Sequence, residues 1–100
     1  MKVVWSTTAR HDLVHIRAYI ARFHPQAARK VGSHIVEAVD SISRHPELGT
    51  RTRLVDVRRL VVPGGPYVIY YRLAATSIEI LEVFDGRRAA PRTIGPEDEV

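Results

Sequence analysis

Arginine dominates the residues able to do chemistry. Arg51, Arg53, Arg58 and Arg59 fall within nine positions with only Asp56 against them, Arg72 follows further on, and Arg87 and Arg88 sit just after Phe84-Asp85-Gly86. A guanidinium stays protonated at any working pH and offers a rigid fork of N–H donors that matches carboxylate or phosphate geometry. Seven such groups can bind an anionic surface and neutralise developing negative charge, but they cannot take up or deliver a proton. Asp85 is the only carboxylate inside the Phe84 to Arg88 run, and an aspartate beside two arginines has a depressed pKa that makes it a poor proton acceptor. These residues read as a gripping surface for a macromolecular partner.

The five histidines are the remaining source of acid–base or metal chemistry. His11 and His15 are spaced one helical turn apart and could share a metal, yet no third ligand accompanies them, and a solvated helix face is the better reading. His24 and His45 each precede a proline at a helix end, and His34 lies one position off an apolar stripe, so structural roles are expected for all five. There is no glycine-rich phosphate loop, no His-x-x-x-His pair flanking a glutamate, and no Gly-x-Ser-x-Gly elbow. No cysteine is present, which removes disulfides and thiolate metal sites. No metal and no cofactor are expected.

The elements that must carry these side chains follow from periodicity. Val3, Val4 and Trp5 form a short strand ending at Ser6-Thr7-Thr8, hydroxyl residues suited to capping a helix. Ala9, Leu13, Ile16, Ile20 and Phe23 then recur at helical spacing and predict a first helix over about Thr8 to Phe23. Pro25 suits the first turn of a second helix, whose stripe Ala28, Val31, Ile35, Ala38 and Ile42 runs to His45-Pro46. Two stripes joined by so short a link pack as an antiparallel hairpin. Val31, Ile35, Ile16 and Ile20 are expected between that hairpin and a sheet.

Beyond a polar connection the period changes. Val57 to Val62, Tyr67 to Leu73 and Ile78 to Phe84 are rich in β-branched and aromatic residues and are separated by two four-residue links, which predicts an antiparallel meander. Neither face of Ile78 to Val83 is uniformly polar, as suits a central strand. Of the tyrosines at 67, 70 and 71, at least one is expected in the core, because neighbouring residues on a strand point to opposite faces. The fold class is α+β, ordered β-α-α-β-β-β, with the helical hairpin packed on a mostly antiparallel four-stranded sheet. The meander makes the arginine segments neighbours, so they can converge on one face and its rim. Residues 89–100, with Pro91, Gly95, Pro96 and the acidic tip Glu97-Asp98-Glu99, lack periodicity and are expected to be a loose tail that orders on binding.

Composition agrees with one domain. One hundred residues with 45% apolar content is a common size for a single core. Thirteen arginines and two lysines give a net charge of +4, and the chain without the three acids of the tip carries fifteen cations against eight acids, +7. Such a surplus favours a polyanionic or acidic-protein partner. No stretch approaches the roughly 20 apolar residues of a membrane span, and a cytoplasmic location without membrane contact is expected. A plain nucleic-acid-binding module fits the charge but lacks the aromatic platform typical of single-strand binders.

Taken together, the pattern resembles a known family. Trp5-Ser6 with Ala9, then Asp12-Leu13 and Ile16 ahead of Tyr19-Ile20-Ala21, is similar to the opening of the ParE/RelE toxin superfamily of type II toxin–antitoxin modules. Pro25 with Ala27-Ala28, Pro46 with Gly49, Arg58 to Val62, Pro66 to Arg72, Ile78 to Leu81 and Phe84-Asp85-Gly86-Arg87-Arg88 continue the likeness. It covers residues 2–88, so a toxin domain over 1–88 is expected. The resemblance implies a growth-arresting toxin neutralised by a cognate antitoxin whose partly disordered segment folds around it. Members divide by target. RelE-type toxins cut messenger RNA in the ribosome; ParE-type toxins, some of which stabilise plasmids, poison DNA gyrase. Cleavage through the 2′-hydroxyl needs groups that give and take protons. The RelE pattern has a basic residue where this chain has Val68, and relatives commonly carry histidine where it has Asp85; no tyrosine or histidine follows in the tail. The resemblance therefore implies the ParE type, with a ribosome-dependent mRNA endoribonuclease as the alternative. Its candidate target contacts are Arg58, Arg59, Arg72, Asp85, Arg87 and Arg88, with no catalytic residue and the antitoxin surface unassigned.

Overall fold

In the computed structural model, residues 1–92 are described. The chain forms β1 (Lys2–Trp5), α1 (Thr7–Ala21), α2 (Pro25–Arg44), β2 (Thr50–Arg51), β3 (Val57–Val61), β4 (Tyr67–Leu73) and β5 (Ser77–Asp85). The expected order holds, with one addition: the sheet has five strands, in the order β1-β5-β4-β3-β2. The addition is the two-residue β2, which pairs Thr50 with Arg59 and Arg51 with Arg58. Two residues cannot display a period, so nothing local marks this strand. β5 is central, as its mixed faces require. It pairs in parallel with β1 and antiparallel with β4.

The start of α1 uses the expected hydroxyl cap, and α2 opens on the expected Pro25 with a cap of a different type. The Ser6 hydroxyl accepts from the Ala9 amide at 3.0 Å and donates to the Leu81 carbonyl at 2.9 Å, so one side chain caps α1 and ties it to the sheet. His24 caps α2 through Nδ1, which accepts from the Ala27 amide at 3.0 Å, with Pro25 opening the first turn.

The helical layer covers one sheet face. Ala9, Ile35, Ala38, Val39 and Ile42 pack against Val62, Ile69, Tyr71, Ile78, Ile80 and Val83, and half-buried Leu13, Ile16 and Val31 close the seam. Ile35 is fully buried, as expected between hairpin and sheet, while Ile16, Val31 and Ile20 are half-buried. α1 buries only Ala9, and its stripe runs out beyond Ala21, where the chain turns toward α2 and leaves Phe23 71% exposed.

A second cluster, Val57, Val68, Tyr70, Leu81 and Phe84, lies on the opposite face, with Tyr70 and Phe84 stacked at 5.8 Å. Adjacent tyrosines thus serve different cores, and both are fully buried. β5, their partner strand, carries a bulge. Tyr70 pairs with Glu82 and Tyr71 with Ile80, leaving Leu81 without an opposite number. Side chains alternate along a strand, so the extra residue puts both Leu81 and Glu82 on the face away from the helices.

Candidate functional site

Register decides where the arginines point. Residues directly opposite in an antiparallel pair share a face. Arg58 pairs with Tyr71 and Arg59 with Tyr70, so the two neighbours face opposite ways. Arg58 lies on the helix side, where its guanidinium donates to the Glu47 carbonyl at 3.2 Å and the Gly49 carbonyl at 2.8 Å. Tyr71 holds the same loop from beneath: its hydroxyl donates to the Pro46 carbonyl at 2.7 Å and accepts from the Gly49 amide at 2.8 Å. Burial pushes the Tyr71 phenol pKa up, against the lowering effect of the Gly49 amide. A Cβ at position 49 would come within 2.9 Å of the tyrosine hydroxyl and of the Arg59 carbonyl, so only glycine fits there. The polar connection after α2 is thereby a fixed platform for β2 and its basic residues.

Arg59 and Arg72 take the face away from the helices. Arg72 pairs with Glu79 across the strands at 3.1 Å, both side chains well exposed. Asp85 lies opposite Tyr67, at the other end of β4. Five residues of strand separate the two positions, about 17 Å.

Asp85, Arg87 and Arg88 do come together at that second end. The Asp85 carboxylate accepts from the Arg87 amide at 2.9 Å and from its guanidinium at 3.3 Å, and Arg88 Nε stands 3.7 Å away. Burial pushes the Asp85 carboxyl up, but the side-chain and backbone hydrogen bonds from Arg87, with the charges of Arg87 and Arg88, outweigh it and hold the pKa below the usual carboxylate range. Arg88 reaches across to α1, lying 5.4 Å over the Tyr19 ring and donating to its hydroxyl at 3.1 Å. That hydrogen bond and charge lower the Tyr19 phenol pKa. Tyr67, just behind, has its pKa raised by burial and by the Asp85 charge.

The candidates thus form three groups: Arg58 under the loop, Arg59 and Arg72 on the open sheet face, and Asp85, Arg87 and Arg88 at the end of β5. They do not converge on one surface. Residues whose place the sequence did not signal join them. Asp12, on α1, accepts from the Val83 amide at 3.0 Å, beyond the point where β1 stops pairing with β5. Arg92 bridges Asp12, at 2.6 Å, and the fully buried Glu82, to which its backbone amide also donates at 3.0 Å. An acid at position 82 within an apolar strand was the one available cue. Of the segment expected to be loose, residues 93–100 lie outside the described residues.

Among the described residues, no group of three or more possible metal ligands comes together. Nor is any helix among them long and apolar enough to cross a membrane.

Comparison with known proteins gives four consistent matches. A family profile described as "ParE toxin of type II toxin-antitoxin system, parDE" matches residues 3–90. The chain is 39% identical over 82 residues to Toxin RelE2 of Caulobacter vibrioides, covering 82% of this chain and 91% of that protein. Among solved structures it is similar to the chromosomal ParDE TA system from P. aeruginosa, with a TM-score of 0.75 and 25% identity over 85% of this chain and 95% of that one. It is also similar to the toxin–antitoxin complex RelBE2 from Mycobacterium tuberculosis, with a TM-score of 0.55 and 26% identity over 84% of this chain and 95% of that one.

Proposed function

The chain belongs to the ParE toxin family of type II toxin–antitoxin systems, and on that premise we propose that it arrests growth by binding and poisoning DNA gyrase in the cytoplasm. Its partner is a cognate antitoxin, which neutralises it. The target contacts are the half-buried Arg59 and the exposed Arg72, Arg87 and Arg88, with Asp85 orienting the last two.

The observation that carries this reading is the pairing of Asp85 with Arg87 at 3.3 Å and Arg88 at 3.7 Å. The hydrogen bonds and charges of these arginines, against the opposing effect of burial, hold its pKa below the usual carboxylate range. A general base is most useful with a pKa near the working pH, and this environment moves Asp85 the other way. All five histidines lie in the helical layer or at its ends, at positions 11, 15, 24, 34 and 45. What remains is a surface built for charge-assisted contacts, each worth roughly 1.5–3 kcal/mol.

A second reading, ribosome-dependent cleavage of mRNA, draws on the likeness to Toxin RelE2 and on Tyr19, a phenol beside the arginine group with a lowered pKa. One experiment separates the two: purified toxin tested side by side for inhibition of gyrase supercoiling and for cleavage of ribosome-bound mRNA. Lost supercoiling with intact mRNA supports the gyrase reading. Intact supercoiling with cleaved mRNA, abolished by Asp85→Asn or Tyr19→Phe, replaces it with the nuclease.

A further inference from the structure

The last turn of α1 and the corner after it carry a surface that neither core uses. Tyr19 is 46% exposed and Phe23 71%. Their rings pack edge to face, with centroids 5.6 Å apart and planes at 68°. Arg88 lies over Tyr19 on one side, and Arg22 lies 5.6 Å over Phe23 on the other. The order across the surface is cation, ring, ring, cation. Arg87 flanks it, and the Arg87 and Arg88 side chains are 71% and 63% exposed.

Single exposed apolar residues are ordinary on a protein surface. Two aromatic rings fixed against each other and against guanidiniums are different, because their conformations are already set before a partner arrives. Aromatic residues and arginine are also the types enriched at the buried centres of protein interfaces. Charge selects the occupant. Arg87 and Arg88 share one carboxylate, Asp85, and Arg22, over Phe23, is held in no ion pair among the described residues. A segment that brings carboxylates to Arg22 and Arg88, and an apolar side chain to Phe23, complements this surface. A nucleic acid fits less well: a guanidinium already covers a face of each ring where a base would stack, and the Asp85 carboxylate stands among the cations that phosphates would seek.

We infer that Tyr19, Arg22, Phe23, Arg87 and Arg88 form a docking site for an acidic segment of the cognate antitoxin. This rests on the reading of the chain as an antitoxin-neutralised toxin. It has a further consequence, since Arg87 and Arg88 are also assigned to the target: the antitoxin neutralises by occupying the arginines the target needs.

The probe is the purified protein encoded by the small open reading frame adjoining the toxin gene, titrated against toxin freed from the co-expressed complex. Phe23→Ala and Arg22→Glu should each raise Kd at least tenfold, the usual effect of losing an interface anchor. Arg22→Glu should also flatten the salt dependence. Phe23→Tyr should bind within threefold of the unaltered chain, as should Arg44→Glu at the far end of α2. Phe23 is largely exposed, so its two variants should keep the parent melting temperature, which separates lost binding from lost folding; the two charge reversals, at the C-cap of α1 and against Asp40 in the last turn of α2, should lower it by a few degrees at most. Unchanged Kd for both Phe23→Ala and Arg22→Glu would overturn the site while leaving the antitoxin reading intact. No binding to the unaltered toxin would overturn both. Binding of a single-stranded oligonucleotide that weakens on Phe23→Ala, with antitoxin binding indifferent to it, would assign the surface to nucleic acid instead.

Discussion

Removing one oxygen atom should loosen the platform beneath β2. The Tyr71 hydroxyl donates to the Pro46 carbonyl and accepts from the Gly49 amide, and Gly49 is itself buried. In Tyr71→Phe the ring still fills its place, so no large cavity forms, but the Gly49 amide loses its partner. An orphaned buried donor costs about 1–3 kcal/mol. The Pro46 carbonyl is half-buried and regains part of its bond from water, so its loss adds roughly 0.5–1 kcal/mol. The expected destabilisation is about 2–4 kcal/mol by urea unfolding, or at least roughly 10 °C in melting temperature for a chain of this size. A pH dependence accompanies it. The Tyr71 phenol has a raised pKa in the folded protein, so the unfolded chain ionises first as pH rises through about 10. Tyr71 therefore contributes its full stability below that pH, and the contribution falls as pH climbs through the folded pKa. Tyr71→Phe should flatten this alkaline decline without abolishing it, because Tyr67 is shifted the same way. A loss below about 0.5 kcal/mol, with an unchanged alkaline slope, would show that the hydroxyl does not hold the loop.

Ile35→Ala, at a fully buried position between α2 and the sheet, should cost about 2–5 kcal/mol through lost burial and a cavity; denaturant unfolding measures it. Arg58→Ala should destabilise by roughly 1–3 kcal/mol by releasing the Glu47 and Gly49 carbonyls, whereas Arg72→Ala, which breaks an exposed pair, should stay within about 1 kcal/mol. In gyrase inhibition the two should exchange rank, with Arg72→Ala reducing inhibition at unchanged fold. Asp85 has a lowered pKa in the folded state, so its contribution is complete above the ordinary aspartate value near 4 and disappears as pH falls through the folded pKa; acid unfolding of Asp85→Asn should lack that part of the decline.

The sequence by itself determined the layers. Apolar residues at helical spacing between Ala9 and Ile42, and β-branched and aromatic runs after Val57, dictate two helices and a meander because each period leaves one continuous face to bury. The cap at Ser6 and the place of Pro25 follow from local backbone chemistry, and the central position of β5 from its mixed faces; the His24 cap of α2 appears only in the structure. Pro46, Gly49 and Tyr71, among the residues that carry the family resemblance, are joined in the packing of the loop after α2. The tertiary structure alone decided where the functional side chains point. Arg58 and Arg59 look equivalent in the chain, yet pairing with Tyr71 and Tyr70 sends one beneath a loop and the other to the open face. The Leu81 bulge sends Glu82 away from the helices and within reach of Arg92. Tyr19 and Arg88, 69 residues apart, meet only because α1 packs along the end of β5. Each outcome depends on a register between distant segments, and a shift of one residue reverses every side chain on a strand, which no local pattern encodes.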